Sequence, residues 1–134
     1  MTKPSLATVV LAAGQGSRML SDTPKVLHKI AGRAMVNHVL AAISPLNPEV
    51  SIVVIAPHMA AVAEAVAPVK TVYQVQPLGT GDAVKAAEPL LKGFLGDVFI
   101  LFGDTPLIRT ETLETMRRER QKSGNPGIVV LGFR

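Results

Sequence analysis

The chain has 134 residues, a net charge of +4 and 48% hydrophobic residues, with only 4% aromatics and no Trp. That length suits one domain or part of one, the apolar content excludes a disordered protein, and any core must be built from Val, Leu, Ile, Ala and Met. The absence of Cys excludes disulfides, thiolate metal sites and a Cys nucleophile, and it fits a reducing cytoplasm.

Taken in chain order, Ala7–Ala13 is apolar, with Lys3 before it and Gly-Gln-Gly and Arg18 after it. With no cleavage site, this reads as a buried strand at Thr8–Leu11, not a signal peptide. Apolar residues at 35, 36, 39, 40 and 43 predict a helix over Met35–Ile43. Ser51–Ile55 is a second strand, Ala-rich Met59–Val66 a second helix and Thr71–Val75 a third strand. Thr80 is placed to cap a helix over Gly81–Leu91, and Val98–Phe102 is a fourth strand. Thr110 is placed to cap a helix reaching about Ser123. Its early acids, Glu111 and Glu114, and late bases, Arg117, Arg118, Arg120 and Lys122, suit the helix dipole, and Gly124 stops it. Gly127–Leu131 is a fifth strand.

Near-continuous apolar runs alternating with helices predict an α/β fold with a mostly parallel sheet. No apolar run approaches the ~18 residues of a membrane span, so no membrane partner is expected. The chain stops at Phe133-Arg134 directly after the fifth strand. It therefore reads as a truncated domain: residues 1–134 form an N-terminal part, with no second domain.

The positive charge is uneven. Lys3, Arg18, Lys25, Lys29 and Arg33 face one acid, Asp22, within residues 1–33. There is no basic run and no interleaved aromatic, which argues against nucleic acid and for a small polyphosphate ligand. His28, His38 and His58 have no metal-ligand spacing and read as surface or packing residues.

Parallel α/β sheets bind ligands at the carboxyl ends of their strands, and the unusual residues lie there. After the first strand come Gly14-Gln-Gly16-Ser-Arg18-Met and then Pro24-Lys25. Two glycines let the backbone turn sharply and offer its amides to a phosphate, and Arg18 and Lys25 add fixed positive charge. A dinucleotide fingerprint needs a third Gly where Met19 stands, and a Walker A loop needs Gly-Lys-Ser/Thr. A glycine turn with two surface cations is the remaining alternative. After the third strand comes Gln76-Pro-Leu-Gly79-Thr80-Gly81. The Gln76 amide carries the donor and acceptor that a base edge requires, although a capped Pro-Gly turn has the same composition. Asp82, at a helix start, reads as structural. After the fourth strand comes Gly103-Asp104, a carboxylate aimed at the presumed site, or else the start of a turn before Pro106.

Leu11-Ala12-Ala13-Gly14-x-Gly16-x-Arg18-Met19 followed by Pro24-Lys25 resembles the signature of the sugar-nucleotide pyrophosphorylases. Lys25-Val-Leu-His28, Ala31–His38, Gln76–Ala83 and Gly103–Leu107 are similar to the family's uridylyltransferase branch, which makes UDP-N-acetylglucosamine. The resemblance implies a Rossmann-like, three-layer, mostly parallel fold of the nucleotide-diphospho-sugar transferase type. It implies UTP and N-acetylglucosamine 1-phosphate as substrates and Mg²⁺ as cofactor. Arg18 and Lys25 would be catalytic. Leu11, Ala12, Ala13, Gly14, Gly16, Lys25, Gln76, Gly79, Thr80 and Gly81 would bind the nucleotide, Gly103 the sugar and Asp104 the metal. The aromatic before Gly103 is often Tyr in that family, and Phe102 lacks its hydroxyl. The branch trimerises through an acetyltransferase domain that this chain lacks, and further metal and sugar contacts come from the missing part. Another sugar phosphate, another nucleotide or a nucleotide-binding module without turnover remain as alternatives. A dinucleotide dehydrogenase suffers from the missing third Gly.

Overall fold

The computed structural model describes residues 3–132 and residue 134. Its centre is β1 (Ser5–Leu11), which pairs in parallel with β4 (Val50–Ile55) on one edge and β6 (Gly96–Phe102) on the other. β5 (Lys70–Tyr73) pairs in parallel with the outer edge of β4, so the sheet order is β5-β4-β1-β6. The helices are α1 (Met35–Ile43), α2 (Ala60–Val66), α3 (Thr80–Ala87) and α4 (Thr110–Arg120).

Alternation along the strands makes three layers. Leu6, Val10, Val53, Ile55, Phe99 and Leu101 face a core that α1, α2 and α4 close with Val36, Val39, Val62, Val66 and Leu113. Val9, Ile52 and Val54 face the other way, under Ala83 and Ala87 of α3. Central strands covered on both faces cannot alternate apolar with polar, which is why β1 and β4 read as continuous apolar runs. The one hydroxyl buried in β1, Thr8, donates to Ser51 Oγ at 3.0 Å, so that polar group is satisfied.

The expected α1 has the observed bounds, and the first four strands all form. Several expectations need correction. A short antiparallel hairpin, β2 (Lys29–Ile30) with β3 (Arg33–Ala34), was not foreseen. It turns on Ala31 and Gly32, both at positive φ, as a type I′ hairpin turn requires. The fifth strand does not form. Ile128 and Val130 are exposed, and Val129–Leu131 flank a groove beside Thr112, Thr115 and Met116 of α4. An extended apolar segment becomes a strand only when a neighbour completes its hydrogen-bond ladder. Phe133, at the chain's end, lies outside the described residues.

Neither threonine caps its helix. Gly79 precedes α3, with φ 106°, and Thr80 is the first helical residue. Thr110 instead donates its hydroxyl to the Ala42 carbonyl at 2.8 Å, tying α4 to α1. α3 stops at Ala87 and continues as a 3₁₀ turn over Glu88–Leu91, because Pro89 has no N–H to extend the α-helical ladder.

Leu113 is fully buried, whereas Leu95 is 90% exposed. Leu113→Ala is expected to cost about 2–5 kcal/mol in urea unfolding, and Leu95→Ala less than about 0.5 kcal/mol. Equal losses would show that the core is not where the fold places it.

Candidate functional site

From β1 the chain passes to β4 and β5 on one side and then returns to β6 on the other. The carboxyl ends of β1 and β6 therefore flank a topological switch point, where connections diverge and leave a crevice. A cleft of about 520 Å³ opens there. Its walls include Leu11–Met19, Lys25, Gln74, Gly79, Thr80, Phe102 and Asp104.

The glycine loop starts from a clamped base. Ala12 N–H donates to Val54 O, and Gly103 N–H donates to Leu11 O, both at 2.8 Å. These bonds carry the sheet pairing one residue past β1 on the β4 edge and one residue past β6 on the other. Gly16 then takes the left-handed conformation, φ 63° and ψ 41°. A β-carbon there would lie 2.5 Å from Lys25 Cβ. Gly16 is thus required twice, by its φ and by the close approach of the segment that carries Lys25. Gly14 has open space around its α-carbon. At the loop's tip the Gln15 amide meets the ring of His58 at 2.8 Å.

Lys25 Nζ lies 2.7 Å from Asp104 Oδ2. The pair joins the glycine-loop side of the cleft to the end of β6. Its side chains are 39% and 34% exposed, so water screens it and its contribution to stability is about 0.2–1 kcal/mol. Arg18 is exposed and makes no ion pair among the described residues.

Opposite this pair stands Gln74, the residue after β5. It is buried, and its Nε2 donates to Gly79 O at 3.1 Å and to Asp82 Oδ2 at 2.9 Å. Both partners are acceptors, so the amide's orientation is fixed. Oε1 is left as an acceptor uncommitted among the described residues. Asp82, read from the sequence as structural, is the group that holds this amide.

The cleft thus gathers Leu11, Ala12, Ala13, Gly14, Gly16, Arg18, Lys25, Gly79, Thr80 and Asp104. It does not gather Gln76, Gly81 or Gly103. β5 ends at Tyr73, and Gln76 lies in the following turn, exposed, with its carbonyl accepting from Leu78 N–H at 2.9 Å. Gly103 is buried and serves packing. A β-carbon there would meet Leu11 O at 3.1 Å and Val26 Cγ1 at 3.2 Å. Gln74, which the sequence reading did not name as a site residue, also lines the cleft. Its signal was its position, one residue past a parallel strand, like Ala12 after β1 and Gly103 after β6. Among the described residues no group of three or more His, Asp or Glu side chains could hold a metal. His38 instead bonds the Ile30 carbonyl at 2.7 Å.

A parallel three-layer sheet with a glycine loop and paired charges at its switch point defines a nucleotide-binding α/β protein. Residues 8–133 match the MobA-like NTP transferase domain, and the chain belongs to that family. It is 51% identical over its whole length to the bifunctional protein GlmU of Paramagnetospirillum magneticum and 53% identical to that of Rhodospirillum rubrum. In each case it spans 30% of the relative's length. Among solved structures, a nucleotidyl transferase from Methanothermobacter thermautotroptrophicus matches with a TM-score of 0.65 at 22% identity, over 85% of this chain and 57% of that one. The manganese complex of Rv0371C from Mycobacterium tuberculosis matches with a TM-score of 0.68 at 19% identity, over 84% of this chain and 57% of that one. These likenesses support the fold. No helix among the described residues is long and apolar enough to cross a membrane.

Gly16→Ala should destabilise the chain by about 1–2 kcal/mol from its left-handed φ alone, with a further loss from the clash with Lys25. Gly14→Ala, which meets nothing, should leave the melting temperature within a degree or two, on the order expected of a neutral surface change. Thermal unfolding of both variants checks this. An unchanged Gly16→Ala protein would contradict the loop conformation.

Proposed function

We propose that the chain is the nucleotide-binding part of an enzyme that transfers uridylyl from UTP to N-acetylglucosamine 1-phosphate, releasing pyrophosphate. The observation that carries the reading is the cleft itself. It brings a glycine loop, two cations, a carboxylate and an oriented amide together at the switch point of a parallel sheet. The whole-length similarity to GlmU proteins supports the uridylyltransferase branch over other members of the family.

In this reaction a phosphate oxygen of the sugar phosphate attacks the α-phosphorus of UTP in line. The new P–O bond forms as the bond from the α-phosphorus to the bridging oxygen breaks, and that oxygen leaves with pyrophosphate. The nucleophile is already an anion, so no protein base or covalent intermediate is needed. The barrier is charge repulsion and alignment, which a preorganised site lowers by positioning and electrostatics. The backbone around Gly14 and Gly16 receives the nucleotide closely. Arg18 and Lys25 neutralise the triphosphate and the leaving pyrophosphate.

A single carboxylate at the cleft suits Mg²⁺, which takes one or two protein carboxylates and completes its shell with substrate phosphates and water. Asp104 is the residue that would hold it. When bound, the ion would neutralise phosphate charge and fix phosphate geometry.

We assign the base to Gln74 rather than Gln76. An uncommitted carbonyl oxygen accepts from the N3–H of uracil, whereas N3 of cytosine carries no hydrogen to donate. Thr80 and Gly79 adjoin it on the same wall.

The reading is tested by pyrophosphate release from UTP, Mg²⁺ and N-acetylglucosamine 1-phosphate, run beside other nucleotides and sugar phosphates. Turnover selective for UTP supports it in full. Binding of UTP without turnover marks the chain as the nucleotide-binding portion alone, and equal response to every nucleotide removes the uridylyl assignment. Where turnover occurs, Arg18→Ala is expected to lose far more rate than substrate affinity, and a rate near wild type would exclude Arg18 from catalysis. Gln74→Ala should lower the preference for UTP over CTP about three- to tenfold, the scale of one neutral hydrogen bond. Gln76→Ala should change it less than about twofold. The reverse pattern would return the base contact to Gln76.

A further inference from the structure

Lys25 and Asp104 are the two groups in the cleft whose proposed partners are phosphate and metal, and in this structure they hold each other at 2.7 Å. A carboxylate oxygen bonded to an ammonium is not open to a second cation at the same lone pair. An ammonium bonded to a carboxylate has likewise spent part of its charge. Resting on the nucleotide-binding reading above, we propose that Lys25 is a tethered counter-cation that competes with the divalent metal for Asp104. Metal and triphosphate then enter by one exchange of partners: Asp104 passes from ammonium to metal as Lys25 passes from carboxylate to phosphate.

The geometry favours an exchange over a permanent bridge. The two side chains come from separate segments, the short turn Lys25–Leu27 and the residues after β6. Each is more than a third exposed, so water can follow either group as it leaves. Lys25 is bonded through one flexible ammonium and not a bidentate fork, so reorienting it disturbs no second contact. Its Cβ is fixed against Gly16, which keeps the swing within the cleft. Either ligand alone has to break the pair and leave one charge less well satisfied. The two together leave both charges paired. The consequence is positive coupling between metal and nucleotide without a change of fold.

Two measurements on the whole chain test this. The first is binding of Mn²⁺ alone, followed by electron paramagnetic resonance. Lys25→Met should bind Mn²⁺ about two- to fivefold tighter than wild type, the range set by a partly exposed pair. Arg18→Met removes the same charge without touching Asp104 and should gain less. Equal or weaker binding by Lys25→Met, or an equal gain from Arg18→Met, would overturn the exchange.

The second is binding of UTP in the presence of a metal chelator, across the cycle of wild type, Lys25→Met, Asp104→Asn and the double variant. Asp104→Asn should tighten UTP binding about two- to fivefold where Lys25 is present, again on the scale of the broken pair, and much less where it is absent. Equal gains in both backgrounds would mean a general field effect and no pairing, and would also overturn it. Wild-type binding of UTP with Mg²⁺ is measured alongside. If that binding is present while the coupling is absent, the exchange fails and the nucleotide site stands. If it is absent, the reading of the site falls and the exchange falls with it.

Discussion

Everything in this molecule hangs on β1. It is hydrogen-bonded along both edges, to β4 and β6, and covered on both faces by side chains from opposite helical layers. A strand so enclosed has no freedom of register, because a slip of one residue would exchange the two faces. Its carboxyl end is therefore a fixed point from which the glycine loop departs. The bonds from Ala12 to Val54 and from Gly103 to Leu11 extend that rigidity to the first loop residue. Gly103 belongs to this constraint, since any larger residue would push Leu11 and Val26 apart.

Under the proposed function, the rigid base accounts for how few side chains the site needs. A reaction between an anionic nucleophile and a triphosphate needs charge held at the right place more than it needs proton transfer. Lys25 is located by the contact of its β-carbon line with Gly16, Asp104 by the end of β6, and Gln74 by its two bonds across the turn into α3. Each functional group thus stands on an element whose position is set by the sheet. At Lys25 the fold holds only the root of the side chain, against Gly16.

Much of this is legible in the sequence. The bounds of α1 follow from a clean helical period, and the first four strands follow from apolar runs that only a doubly covered sheet produces. Gly14, Gly16, Arg18, Lys25 and Asp104 stood out because Gly and charged residues are anomalous directly after such runs. What was not legible depended on partners distant in sequence. Gly127–Leu131 has strand composition but no ladder to join. Thr110 has the chemistry of a cap, but the Ala42 carbonyl takes its hydroxyl. That Gln74 lines the cleft while Gln76 lies in the turn depends on where β5 ends and on Asp82 eight residues later, which composition does not reveal. The pairing of Lys25 with Asp104 spans 79 positions and could not be read from either motif alone.

The central claim is that one cleft, at the carboxyl ends of β1 and β6, receives the nucleotide. Titrating isotope-labelled chain with Mg²⁺–UTP and following backbone amide resonances tests it most directly. The account expects the shifts to concentrate in Ala12–Lys25, Gln74–Thr80 and Gly103–Asp104, with the α4 groove beside Val129–Leu131 unmoved. Shifts centred on that groove, or none at saturating nucleotide, would contradict it.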